Sequence, residues 1–180
     1  MFDKDMQIHG KYATYWKALT QLPGNAVETS KNFKVFENYI YVYMVAPIIG
    51  LMNGRRAYYD PTDDSKDTAG MLAEIQIKNA SKLKYIYRLI ILSDDSAGLT
   101  DEEKINMAFR EDNNEESVRK GMELYTAYFF GGLEVLYEEF VQSCITDDDY
   151  IRKMYDYVSE FKEEQSIDEL TVDIESLLSK

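Results

Sequence analysis

A single cysteine, Cys144, rules out any internal disulfide and so excludes a secreted disulfide scaffold. A reducing, cytoplasmic setting is the expectation. A single histidine, His9, has no Glu-x-x-His partner for a di-iron bundle, and no arginine precedes it to form the pair that helical ribonucleases use. A thiol nucleophile with its base would require Cys144 and His9 to meet, and nothing else in the chain supports that. Three prolines and nine glycines in 180 residues leave little punctuation for many short strands, which favours long helices.

Long hydrophobic runs are also missing. The most apolar stretch, residues 39–52, is shorter than the roughly 20 residues a membrane span needs. It also holds Tyr39, Tyr41, Tyr43, Pro47 and Gly50, as a buried core helix would. The first six residues lack the basic-then-apolar layout of a signal peptide. No Walker loop, Gly-x-Gly-x-x-Gly, Gly-x-Ser-x-Gly or zinc spacing occurs. Neither acidic run, 60–67 nor 94–103, has the glycine and glutamate positions of an EF-hand loop. Helical pyrophosphohydrolases hold magnesium with Glu-x-x-Glu and Glu-x-x-Asp pairs, and the chain offers only Glu160-x-x-Glu163. The expectation is therefore no cofactor, no metal site and no catalytic residue.

What is present is greasy side chains at helical spacing. Hydrophobic residues make up 45% of the chain and aromatics 13%, enough to fill a globular core. The pattern predicts an all-α bundle of five to seven helices forming one domain over 1–180, with long central helices near 31–54, 68–93 and 115–143. Ile8, Tyr12, Tyr15, Trp16 and Leu19 fall on one face of a first helix over 5–20, which Leu22-Pro23-Gly24 ends. Thr29 or Ser30 caps the second helix, which Pro47 should kink. The third is expected to bury Leu72, Ile75, Leu83, Ile86 and Ile90.

Thr100-x-x-Glu103 is a capping box for a short fourth helix. Val118, Met122, Tyr125, Phe129, Leu133, Leu136 and Phe140 stripe the fifth, and Phe130 widens the stripe. Gly131-Gly132 inside it implies close approach of a neighbouring helix. The acidic triplet Asp147 to Asp149 suits the start of a sixth helix that buries Ile151, Met154, Tyr155, Val158 and Phe161. Ser166-x-x-Glu169 opens a last helix with Ile167, Leu170, Ile174, Leu177 and Leu178 on one face. No strand alternation of useful length is evident.

Charge is uneven. Net charge is −13, with residues 1–30 neutral, 31–88 at +3 and 89–180 at −16. Two basic clusters stand out in the middle segment. Arg55 and Arg56 precede Tyr58 and Tyr59, a grouping suited to phosphates, carboxylates or stacked bases. Lys78, Lys82, Lys84 and Arg88 form the second, with Lys84 and Arg88 opposite the buried face. The bland account of both is a solvated helix border and dipole compensation.

Three functional classes follow. The first is a non-enzymatic interaction module, a subunit or adaptor of an intracellular protein assembly, a nucleic-acid-handling one among the candidates. Its acidic half meets a basic partner and its cations meet something anionic. The second is an acidic nucleic-acid mimic that inhibits a DNA- or RNA-binding protein. The third is a carboxylate-metal helical enzyme built around Glu134 and Glu138. A protein partner is expected, a homodimer through the aromatic second helix is permitted, and no membrane is implied. Nucleic acid would be reached only indirectly or through the 55–59 and 78–88 clusters.

Overall fold

Glycine sets how closely the two central helices approach. In the computed structural model, which describes residues 1–20 and 34–165 except positions 61, 64, 97, 112 and 145, helix α2 (Tyr39–Met52) lies against helix α6 (Glu115–Tyr137). A Cβ on Gly132 would come within 1.7 Å of the Ala46 carbonyl oxygen, and one on Gly50 within 2.2 Å of that of Tyr128. Backbone meets backbone with no room for a methyl group. The expected close approach at Gly131-Gly132 is therefore what these residues provide.

Around this pair the described residues form seven α-helices and one small sheet. Helix α1 (Lys11–Thr20) packs on α6, with Tyr12 stacked on Phe130 and Trp16 edge-on to Phe129, and Ala13 and Leu19 are buried as well. Helix α4 (Ala80–Ser93) adds Leu83, Ile86, Tyr87, Ile90 and Ile91 to the same core. Trp16, Tyr43, Tyr125 and Phe129 interlock edge-to-face or tilted at its centre, pairs each worth about 0.5–1.5 kcal/mol beyond their area. Phe2 plugs one side from a left-handed backbone (φ 58°), its ring edge-on to Tyr43, Tyr87 and Tyr125.

The all-α expectation holds for the bulk of the fold, with instructive exceptions. The predicted first helix begins instead as strand β1 (Met6–His9). It pairs antiparallel with β2 (Thr68–Met71), Met6 opposite Met71 and His9 opposite Thr68. Ile8, Ala69 and Met71 face the core, while His9 is exposed. The start of the predicted third helix is thus strand, and the rest breaks at Asn79 into α3 (Ala73–Lys78) and α4. Leu72 and Ile75 consequently stand exposed, whereas Leu83, Ile86 and Ile90 are buried.

Helix α2 starts at Tyr39 rather than near 31, and Pro47 sits inside it, buried. Its buried residues face α1, α4 and α6, so the segment proposed as a dimer seam is largely covered within the chain. No helix among the described residues is long and apolar enough to cross a membrane.

Helix α5 (Asp101–Phe109) carries the predicted capping box. Thr100 accepts from the Glu103 amide, and the Glu103 carboxylate accepts from the Thr100 amide. The end of α4 is fastened by Asp94, 1% exposed, which accepts from Tyr128 Oη at 2.5 Å and Ser96 Oγ at 2.5 Å. Helix α6 runs into a π-helical turn (Glu138–Gln142) and is followed by α7 (Asp147–Gln165). Cys144 is buried, its Sγ donating to the Glu139 carbonyl at 3.7 Å. On α7 the expected burial fails at three positions: Ile151, Tyr155 and Val158 are 59%, 73% and 63% exposed, because no described element covers that face, while Met154 is half-buried against the core. The Phe161 side chain, the predicted last helix, Leu22-Pro23-Gly24 and the Thr29/Ser30 cap lie outside the described residues.

Candidate functional site

The segment that leaves α2 builds the most developed surface feature. Gly54 takes a left-handed φ of 58°, and Arg55 N–H donates back to the Gly50 carbonyl at 2.8 Å, which closes the helix. The chain then crosses α6 in extended form, tied by the Ala57 amide to the Ala127 carbonyl at 2.9 Å. Gly131 permits this crossing, since a Cβ there would lie 1.9 Å from the Arg55 carbonyl oxygen. Residues 55–60 therefore form a strap over α6, with a polar network on one side and an apolar groove on the other.

The polar side centres on Glu134, whose side chain is 15% exposed. It accepts from Lys11 Nζ at 2.9 Å, Tyr12 Oη at 3.1 Å and Arg55 Nε at 3.0 Å. The two terminal nitrogens of Arg55 grip Glu138 in a fork at 2.6 and 2.7 Å. The hydrogen bond to Glu134 is the main cause that raises the Lys11 ammonium to about 12. Burial, then the Glu134 charge, raises the Tyr12 phenol to about 12. Arg55 holds the Glu138 carboxyl below its ordinary range. At neutral pH Lys11 stays charged and Tyr12 stays a hydrogen-bond donor, so neither serves as a base.

The third functional class looked to Glu134 and Glu138 for a metal. Both carboxylates are engaged by cations, so a metal there would have to displace Arg55 and Lys11. Among the described residues no three His, Cys, Asp or Glu side chains are placed to share a metal ion.

On the apolar side, Tyr58, Tyr59, Met122, Thr126, Ala127 and Phe130 line a groove of about 480 Å³. Phe130 also stacks on Tyr12, with ring centroids 4.3 Å apart, so the groove floor and the polar network share a wall. Tyr58 and Tyr59 are 68% and 52% exposed at the rim. Arg119 pairs with Glu123 along the edge at 2.6 Å. Arg56, exposed, lies over the Tyr128 ring at 5.9 Å and forms no ion pair with a described residue.

The sequence-predicted basic residues divide by neighbour. Arg55, Arg56, Tyr58 and Tyr59 belong to the strap. Lys78 pairs with Glu74 one turn earlier at 2.7 Å, an exposed pair of little energetic weight. Arg88 donates to the Ala108 carbonyl at 2.8 Å and lies over the Phe109 ring at 5.0 Å. It thereby fastens α5 to α4, on the side where Lys84 also lies half-buried. Lys82 borders a separate hollow with Met44, Tyr85 and Ile86.

The sequence reading did not single out Lys11, Tyr12, Thr126 or Arg119 for the site; its core assignment holds for Phe130, 6% exposed, and in part for Met122, half-buried against the core, although both also line the groove. The signal for the latter two was present in the spacing of Met122, Thr126 and Phe130, one row along α6. Searched against protein-family models, curated proteins and solved structures, the chain finds no match.

Proposed function

We propose that this protein is a non-enzymatic interaction module, a subunit or adaptor of a larger protein assembly. The groove beneath the strap is the observation that carries the reading. Aromatic residues, methionine and arginine are the side chains enriched at the centres of protein interfaces. Here Tyr58, Tyr59 and Met122 gather with Phe130 and Arg119 around one depression. The occupant is a segment of a partner protein with an apolar or aromatic anchor for the floor. A carboxylate beside that anchor meets Arg56, the strap cation that no described acid neutralises.

Replacing Tyr58 and Tyr59 together by alanine in the full chain tests this. Partner affinity is expected to fall about tenfold or more, with thermal stability nearly unchanged because both rings are exposed. Unchanged affinity, or no stoichiometric partner recovered by the unaltered chain, would count against the reading.

The nucleic-acid mimic is the second reading, supported by the −16 balance over 89–180 and by exposed carboxylates at Asp101, Glu102, Glu115 and Glu160. Lys120, Arg119 and Lys153 are interleaved with acids as Glu116, Glu123 and Glu139 pairs, which weakens the resemblance to a phosphate row. A mimic must displace nucleic acid from its target in a salt-sensitive way. Displacement that is indifferent to salt would remove it.

A further inference from the structure

Helix α7 carries an apolar stripe that no described element covers, and the charges along it follow an order. Asp148, Ile151, Tyr155, Val158 and Lys162 recur at alternating steps of three and four residues. That spacing keeps all five within about 80° of arc on one side of the helix. All five are exposed. The stripe opens with an acid, closes with a base and is apolar between.

The helix cannot turn this stripe inward, because its other side is fastened to the body of the protein. Tyr150 is buried, and Tyr157 sits edge-on to Phe140 with ring centroids 5.6 Å apart. Lys153 pairs with Glu139 at 2.9 Å. The acids Asp149, Asp156 and Glu160 stand about 120° or more round the helix from the middle of the stripe, so most of the acidity of α7 is aimed elsewhere.

Asp148 in the first turn and Lys162 in the last each offset the helix dipole, which would account for either charge alone. Their placement says more. Asp148 lies seven residues before Tyr155 and Lys162 seven after it. Read from either end the stripe is nearly the same, except that the end charges change sign. Such a stripe complements a reversed copy of itself. An antiparallel second α7 sets Lys162 opposite Asp148 at both ends and joins the two apolar segments into one seam. A parallel copy would set like charges against each other. A two-fold axis near Tyr155 produces the antiparallel pairing, and a closed symmetry stops at two chains.

We propose that the open stripe of α7 is a self-association surface, occupied by α7 of a second copy of this chain running antiparallel about Tyr155. The stripe shares no residue with the strap groove, so a dimer carries two grooves. With three apolar side chains from each copy the seam is short, and the dimer forms only at high protein concentration.

Sedimentation of the full chain over about three decades of concentration tests this. A monomer is expected at the lowest concentrations and a dimer, with nothing larger, at the highest. Tyr155→Asp should weaken the dimer about tenfold or more. Its melting temperature at monomeric dilution should be nearly unchanged, because the ring is exposed. Charge exchange reads the orientation. Asp148→Lys and Lys162→Asp should each weaken self-association, since each sets like charges opposite at both ends. An equimolar mixture of the two variants should associate about tenfold more tightly than either alone.

A chain that stays monomeric throughout would overturn the proposal. That is the result if the stripe is occupied by residues 166–180 of the same chain or kept for a different protein. A dimer indifferent to Tyr155→Asp, or a mixture that associates no better than its components, would overturn it as well.

Discussion

The α2–α6 crossing and the open face of α7 use similar side chains to opposite ends. At the crossing, apolar residues of both helices are sealed so tightly that glycine is needed at Gly50 and Gly132. On α7, Ile151, Tyr155 and Val158 follow helical spacing equally well and stand in the open, while Tyr150 on the same helix is buried. An apolar stripe states that a helix can bury a face. What covers that face is decided elsewhere in the chain, and α6 has α1, α2 and α4 around it whereas α7 has chiefly the π-helical turn.

This contrast can be broken from several directions. Gly132→Ala should have a large effect, about 3 kcal/mol or more, because its methyl group meets backbone that cannot rotate away. Gly54→Ala, with open space around it, should cost only the left-handed strain of about 1–2 kcal/mol. Urea unfolding of both variants gives the comparison, and equal losses would show that the helices can shift apart. Phe129→Ala, fully buried, should lose about 3–5 kcal/mol. Tyr155→Ala on α7 should stay within about 0.5 kcal/mol of the parent.

Tyr128→Phe comes next, at about 1–3 kcal/mol, since it removes a donor from the buried Asp94 carboxylate.

Arg55→Ala should be smaller, about 1 kcal/mol, because Arg55 and Glu138 are both partly exposed and water screens them. Its pH signature is more telling than its size. Arg55 depresses the folded Glu138 carboxyl, so its stabilisation is present above the unfolded value near 4.5 and disappears as pH falls through the lowered one. The parent and Arg55→Ala stability curves should therefore differ at pH 7 and converge in acid. A gap that stays constant from pH 7 to acid would mean that the pair contributes packing alone.

The same contrast explains what could be read from the residues directly. Helix α6 was legible because its apolar residues cover most of its circumference, and Gly131-Gly132 pointed to close contact. The Thr100–Glu103 box was legible because capping is local. Strands β1 and β2 were not, since four residues give a single alternation and their partner lies about sixty positions away. The break at Asn79 was hidden by helix formers on both sides.

At the candidate site, Arg55, Arg56, Tyr58 and Tyr59 announced themselves by composition. Their opposite wall did not, because Phe130 is core, 6% exposed, with Met122 packed partly buried against it, and core spacing does not say that a residue also borders a groove. Glu134 stood out only with Glu138 as a metal candidate, and nothing local pointed to Lys11 and Tyr12 as its partners.

The most direct measurement places a photo-crosslinking benzoyl-phenylalanine at Tyr59, on the groove rim, and separately at Tyr85, a tyrosine on α4 that is 70% exposed and away from the groove. The account predicts one discrete partner adduct from position 59 in the native host and none from position 85. Equal labelling from both positions, or no discrete adduct from position 59, would contradict it.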